Sequence, residues 1–319
     1  MTVSKTGYFT HRDCWKHEMG AGHPECPARL DAIEDRLLVT GVADALERFE
    51  APQASLADIE LAHDRMYVAS LRGMTDRLVE ELQAGGPAHA QIDPDTSINA
   101  HTWNASLRAA GAALAATDAV MAGEIENAFC SVRPPGHHAT RNKAMGFCFF
   151  NNVAVAARYA LERYKLHRVA VVDFDVHHGN GTEDILAGDP RALMVSIFQH
   201  PFYPFSGDAD PAPNMLNVPV AAYTKGMDVR EIVEMLWIPR LEAFKPEMIF
   251  VSAGFDAHRE DDMGQLGLTE QDYTWITQRI KDVARRFSKG RIVSCLEGGY
   301  MMDPLARSVE AHIRVLADL

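Results

Sequence analysis

The amino-acid sequence predicts an α/β fold: a parallel sheet buried on both faces, with helices packed above and below it. Three observations carry the prediction. Short runs of apolar and β-branched residues recur at 128–132, 169–174, 193–198, 248–253 and 292–296, without the polar alternation of a sheet that faces water on one side. Segments of helical period separate most of them, as crossover connections between parallel strands require. Four of the five runs end in glycine-bearing clusters of histidine, aspartate or tyrosine, and parallel sheets bind ligands beyond the carboxyl ends of their strands.

Taken in order, the first helix signal follows Gly22-His23-Pro24-Glu25-Cys26-Pro27, where Leu30, Ile33, Leu37 and Leu38 recur at helical spacing. The stretch 83–99, with its glycines and prolines, reads as the longest loop. An Ala-rich helix over 103–121 carries Leu107, Gly111 and Leu114 on one side, a composition suited to close packing. Further helices are expected over 152–164 and over 228–244, the second kinked at Pro239. Thr269-Glu270-Gln271-Asp272 has the form of a capping box ahead of Tyr273, Ile276, Ile280 and Val283. Asp303-Pro304 reads as the N-cap and first-turn proline of a last helix.

The chain has 319 residues, 47% of them hydrophobic and 24% charged, with a formal charge of −13. That length holds a sizeable core, and an α/β fold uses it as one domain over 1–319. The acidic balance argues against nucleic-acid binding, which needs basic side chains to displace counterions from phosphates. A cationic substrate remains compatible. Cys14, Cys26, Cys130, Cys148 and Cys295 form an odd, scattered set with no C-x-x-C pair, the usage of reduced thiols in a cytoplasmic compartment. The N-terminal MTVSKTGYF has no apolar core of signal-peptide length, and no stretch approaches a membrane span. A cytoplasmic location without membrane association is expected, and a homo-oligomer stays open.

The densest chemistry lies in Asp173-Phe174-Asp175-Val176-His177-His178-Gly179-Asn180. In extended geometry Asp173, Asp175 and His177 share a face. Burying two carboxylates costs several kcal/mol each unless a positive charge sits between them, and a divalent metal meets that need. With Asp256 they offer three N/O ligands, Asp175, His177 and Asp256, and an open position, the form of a catalytic zinc site, although zinc often takes more nitrogen or sulfur. A lone D-x-H also arises where such groups only cap helices and satisfy loop amides; the arrival of Asp256 and Tyr300 from other strand ends favours the metal.

His137-His138 follows a Pro-Pro-Gly turn, and imidazoles there suit proton transfer from an attacking water to a leaving amine. Asp173 and Asn180 are available to orient the two rings. Tyr300, after two glycines, could hold a developing oxyanion. Phe147 and Tyr203 lie in aromatic-rich loops; such loops often merely cover a core edge, but facing one another these two would make a narrow slot for an aliphatic chain such as an acylated lysine.

These motifs resemble those of the histone deacetylase superfamily, in particular the class II branch with its bacterial histone deacetylase-like amidohydrolases and acetylpolyamine amidohydrolases. They are G-H-P-E-C-P-A-R-L (22–30), R-P-P-G-H-H-A (133–139), G-F-C-F-F-N-N (146–152), D-F-D-V-H-H-G-N-G-T (173–182), S-A-G-F-D-A-H (252–258) and L-E-G-G-Y (296–300), in order and spanning nearly the whole chain. The resemblance implies a three-layer arginase/deacetylase fold around an eight-stranded parallel sheet, and zinc-dependent removal of acetyl or other acyl groups from lysine side chains of peptides and proteins or from related amines. It implies zinc on Asp175, His177 and Asp256, the acid/base pair His137 and His138 backed by Asp173 and Asn180, and Tyr300 as the carbonyl-polarising group. Gly146, Phe147, Tyr203, Met263 and Gly298 become substrate-facing, and Arg29 lies near the floor, where an acetate-escape channel is proposed in relatives.

The resemblance further implies a structural potassium ion on Asp173, Ser196 and the main chain of Asp175, His177 and Ile197. A second monovalent site would use main-chain oxygens near Leu186, Asp189 and Ala192. Asn180 matches the class II pattern, where class I members carry aspartate. Tyr300 stands where the weakly active vertebrate class IIa enzymes carry histidine. Met263 replaces the glutamate of polyamine-selective relatives, which weakens that reading despite Pro24-Glu25-Cys26, and Tyr203 replaces the commoner phenylalanine. Two alternatives remain: an amidase for small acylated amines or polyamines, and a catalytically silent metal-dependent binding module.

Overall fold

The computed structural model describes residues 5–319; residues 1–4 of the N-terminal stretch read above lie outside them. The strands are β1 (Thr6–Thr10), β2 (Leu46–Glu50), β3 (His89–Asp93), β4 (Thr96–Asn99), β5 (Asn127–Cys130), β6 (Val169–Asp173), β7 (Ala192–Gln199), β8 (Met215–Val220), β9 (Met248–Ala253) and β10 (Ile292–Leu296). The helices are α1 (Asp13–Lys16), α2 (Ala28–Val39), α3 (Leu56–Ile59), α4 (Arg65–Gln83), α5 (Thr102–Ala122), α6 (Asn152–Arg163), α7 (Asn180–Leu186), α8 (Gly226–Ile232), α9 (Ile238–Phe244), α10 (Glu270–Phe287) and α11 (Met302–Leu316).

Eight strands form one sheet in the order β2-β1-β5-β10-β9-β6-β7-β8, with every neighbouring pair parallel. The chain builds β1, β2 and β5 on one side, jumps to β6 and runs out through β7 to β8. It then returns to fill the gap with β9 and β10. That order places β5, β10, β9 and β6 side by side, so the four clusters that follow them in sequence open onto one crevice. Every residue of these four strands is buried, which is why they read as apolar-rich runs without polar alternation.

Helices α5 and α6 pack together and against the central strands, while α11 packs between α2 and α10. The close approach in α5 is real: a Cβ on Gly111 would stand 1.9 Å from the Pro52 carbonyl oxygen. The Asp272 carboxylate accepts the Thr269 main-chain N–H at 2.9 Å, the returning half of the expected capping box. Among the described residues no helix is long and apolar enough to cross a membrane.

Several expectations are corrected. The loop over 83–99 contains the antiparallel hairpin β3–β4. The helix over 228–244 runs from α8 into α9 through a π-turn at residues 233–237, closed by Ile238 N–H on the Val233 carbonyl, just upstream of Pro239. Pro239 lies directly after that π-turn, as the second residue of α9. The last helix begins at Met302, so Asp303 and Pro304 lie in its first turn and Asp303 is not the N-cap.

Candidate active site and metal centre

The Asp173–Asn180 cluster leaves the end of β6 in the interior, with Asp173, Asp175 and His177 all buried. His177 Nδ1 lies 3.0 Å from Asp175 Oδ1 and 3.2 Å from Asp256 Oδ2, and one ligand atom from each of the three falls within 4.8 Å of the others. The remaining carboxylate atoms are held by the main chain. Asp175 Oδ2 accepts Gly298 N–H at 2.8 Å, and Asp256 Oδ1 accepts Val176 N–H at 3.0 Å.

Asp256 Oδ2 is buried and has no hydrogen-bond donor, a costly arrangement unless a cation completes it. Glycine keeps the space open: a Cβ on Gly298 would stand 1.9 Å from Asp256 Oδ2, and one on Gly254 2.0 Å from Asp175 Oδ2. The electrostatics agree. Burial, then the Asp175 charge, push Asp256 up to about 7. Burial opposes the charged imidazole of His177, but the flanking carboxylates of Asp175 and Asp256 outweigh it and raise His177 to about 10. The donor set and its orphaned oxygen fit a divalent cation, whose binding would displace the imidazole proton.

Beside this centre, the rings of His137 and His138 lie 4.0 Å apart. Asp173 Oδ2 is 3.0 Å from His137 Nδ1, and Asn180 Oδ1 is 2.8 Å from His138 Nδ1. Burial works against a charged His137, but Asp175 and Asp173 raise its pKa; burial, then the neighbouring His137 and His177, lower that of His138. Glu297, buried at the end of β10, accepts the main-chain N–H groups of Gly136 (2.6 Å) and His137 (3.1 Å) and so locks the histidine turn onto the sheet.

A pocket of about 250 Å³ opens above, lined by Asp95, His138, Gly146, Phe147, His177, Phe202, Tyr203, Asp262, Met263 and Tyr300. Phe147 meets Tyr300 edge-on at 5.9 Å, Tyr203 meets His138 edge-on at 5.2 Å, and Phe202 stacks on His177 at 5.5 Å. Burial, then Asp256, hold the Tyr300 phenol far above its usual range, so it stays a hydrogen-bond donor. Arg29 lies beneath, its guanidinium carbon 4.9 Å from the Tyr300 ring centre. Arg29 donates to Gly299 O (2.6 Å), to Glu297 O and to Glu25 Oε1 (3.1 Å). Glu25 also takes Arg133, so two buried guanidiniums share one buried carboxylate.

All the expected residues thus gather at one crevice, apart from the outer cation positions. Asp173 and Ser196 are register partners on β6 and β7, with Ile197 next in the strand. The second monovalent set does not fit its cation: the Asn214 side-chain nitrogen already engages the carbonyls of Leu186, Asp189 and Ala192.

Sequence reading missed Asp95, Phe202 and Asp262 on the pocket wall, and Asp261 behind it. Asp261 is 6% exposed; its Oδ2 accepts Tyr300 N–H (2.6 Å) and Met301 N–H (3.1 Å), and its Oδ1 accepts Met263 N–H (2.9 Å). No spacing rule marks these loop residues.

Fold and site together define an α/β protein of the arginase/deacetylase class. The pattern described as Histone deacetylase domain matches residues 23–316, and the chain belongs to that family. It is 36% identical over 287 residues to the histone deacetylase-like amidohydrolase of Pseudomonas aeruginosa, covering 88% of this chain and 73% of that one. It is 36% identical to the polyamine deacetylase HDAC10 of Homo sapiens, covering 98% of this chain and 48% of that one. It is 35% identical to the type-2 histone deacetylase 2 of Dictyostelium discoideum over 98% of its length, yet spans only 21% of that protein. The solved structure of the HDA15 HD domain superposes with a TM-score of 0.91 at 31% identity, covering 99% of this chain and 89% of that one. Family membership supports deacetylase or amidohydrolase chemistry on acylated substrates.

Proposed function

We propose that the chain is a single catalytic domain that hydrolyses N-acetyl, or longer N-acyl, amides of lysine side chains in a zinc-dependent reaction. One observation carries the reading: Asp175, His177 and the undonated Asp256 Oδ2 converge beneath a pocket whose wall holds a protonated Tyr300 and a histidine pair. When bound at Asp175, His177 and Asp256, zinc supplies Lewis-acid chemistry to the acyl carbonyl and to water.

The side chains do the rest. Phe147, Phe202 and Tyr203 take the aliphatic chain and exclude bulk water. The Tyr300 hydroxyl donates to the carbonyl oxygen, most strongly as that oxygen becomes an oxyanion. Asn180 Oδ1 accepts from His138 Nδ1, which leaves His138 Nε2 to take a proton from the attacking water and return it to the leaving nitrogen. His137, tethered through Nδ1 to Asp173, supports that imidazole electrostatically. On the resemblance, Asp173, Ser196 and Ile197 are assigned to one structural potassium ion.

Tyr300→Phe tests the reading: turnover of acetyl-lysine peptides should fall about 10²-fold or more with zinc content unchanged, the scale of a lost oxyanion donor. Near-normal turnover would reject the role. A second reading, hydrolysis of small cationic acylamines, draws on the two carboxylates of the pocket wall, Asp95 and Asp262. A kcat/KM for acetylspermidine or acetylputrescine above that for acetyl-lysine peptides would favour it.

A further inference from the structure

The carbonyl oxygens of Leu186, Asp189 and Ala192 converge on one point, and the side-chain nitrogen of Asn214 sits there. Asn214 Nδ2 lies 2.9 Å from Leu186 O, 3.1 Å from Asp189 O and 3.0 Å from Ala192 O. The other end of the amide fixes its orientation, because Asn214 Oδ1 accepts the Gly188 N–H at 2.9 Å. Turned over, the amide would set an oxygen against three carbonyls and an NH2 against an N–H. Only one orientation satisfies the donors and acceptors.

Three carbonyl dipoles aimed at a common centre are what an all-oxygen site offers a hard cation. We propose that this chain fills that centre with its own amide and binds no monovalent cation there, so that the position beside Asp173 and Ser196 is the cation site that remains. The two amide hydrogens serve three acceptors, one of them shared, as bifurcated bonds allow. The surrounding charge points the same way. The carboxylate of Asp189, whose main-chain oxygen is one of the three acceptors, is engaged by Arg158 at 2.5 Å and by Arg191 at 2.8 Å, so its negative charge is neutralised by two guanidiniums that would repel an incoming cation.

The substitution has a mechanical consequence. The amide ties the last residue of α7 and the first of β7 to the segment that enters β8, where Asn214 O also accepts Met194 N–H at 3.0 Å. Helix α7 opens with Asn180, the partner of His138. A tie made of neutral hydrogen bonds holds the far end of that helix without regard to which salt is present.

Crystals of the wild-type protein grown in rubidium or thallium(I) chloride test this directly. The expected anomalous map has no peak at the centre of the Leu186, Asp189 and Ala192 oxygens. A peak there, with the Asn214 side chain rotated away, overturns the proposal. In solution, Asn214→Ala opens the centre. Its melting temperature should fall in choline chloride and recover in potassium chloride by about 3 °C more than the wild type gains from the same exchange, within the range by which small stability changes move a melting point. An equal loss in both salts would show that the amide does not stand in for a cation. Neither measurement depends on turnover, so the outcome is independent of the acyl-amide reading.

Discussion

Gly298→Ala should separate the metal centre from the fold. A Cβ at this position would lie 1.9 Å from Asp256 Oδ2 and 2.7 Å from Asp175 Oδ2. Ordinary contact needs about 3.4 Å, so the Asp256 oxygen must retreat by about 1.5 Å. Gly298 is not among the residues with positive φ, so the alanine backbone is unstrained and the clash is purely steric. The clash falls on side-chain rather than main-chain atoms, Asp256 Cγ at 2.6 Å included, so the folding cost is expected within the ~1–3 kcal/mol typical of overpacking.

A metal ligand tolerates only about ±0.2 Å. Losing the Asp256 oxygen should therefore weaken zinc binding by at least the ~10–100-fold seen when mere supporting groups are removed. Turnover should drop by ~10²-fold or more. Competition titration against a chromophoric chelator measures the affinity, and thermal melting measures the fold. Gly111→Ala is the control: its Cβ would meet the Pro52 main-chain oxygen at the same 1.9 Å, in α5. That variant should melt lower yet keep its zinc affinity. Zinc affinity of Gly298→Ala within threefold of wild type would refute the steric argument.

Other outcomes are expected elsewhere. Burial alone would raise the Glu25 carboxyl, but Arg133 and then Arg29 outweigh it and hold it down at about 2, against an ordinary 4.5. A depressed carboxylate contributes stability that is present above its unfolded pKa and lost as pH falls toward the folded value, here about 3 kcal/mol between pH ~4.5 and ~2. Glu25→Gln should cost about 3–5 kcal/mol near neutrality by stranding two buried guanidiniums and should flatten that acid limb. Denaturation curves with an unchanged pH dependence would contradict it. Asp261→Ala frees the main chain of Tyr300 and Met301 together with that of Met263. It should lower kcat by ~10-fold or more through misplacement of the phenol. In a Tyr300→Phe background the same change should cost less than about threefold, and fully additive losses would show that Asp261 does not act through Tyr300.

The central strands were legible because each is buried on both faces: β6 (VAVVD) and β9 (MIFVSA) leave no polar alternation to confuse the reading. The missed strands lie at or near the sheet edges and obey other constraints. β2 carries Glu47, Arg48 and Glu50 on an edge that charge protects from further pairing. β8 includes Pro219, tolerated at an edge where no partner needs its N–H. β1 is five residues long and includes a glycine and two threonines.

The candidate metal ligands and the histidine pair were legible because they directly follow those buried strands. Asp95, Phe202, Asp261 and Asp262 were not, because loop conformation rather than periodicity delivers them to the pocket. Asn214 illustrates the same limit. Its neighbours in sequence say nothing of three carbonyls contributed by a helix end, a turn and a strand start.

The most direct test is turnover of an acetyl-lysine peptide by metal-depleted protein titrated with zinc. Activity should rise from baseline and saturate at one zinc per chain, with Asp256→Ala failing to recover at any ratio. Turnover that persists without zinc, or that saturates only at two per chain, would contradict a single centre built on Asp175, His177 and Asp256.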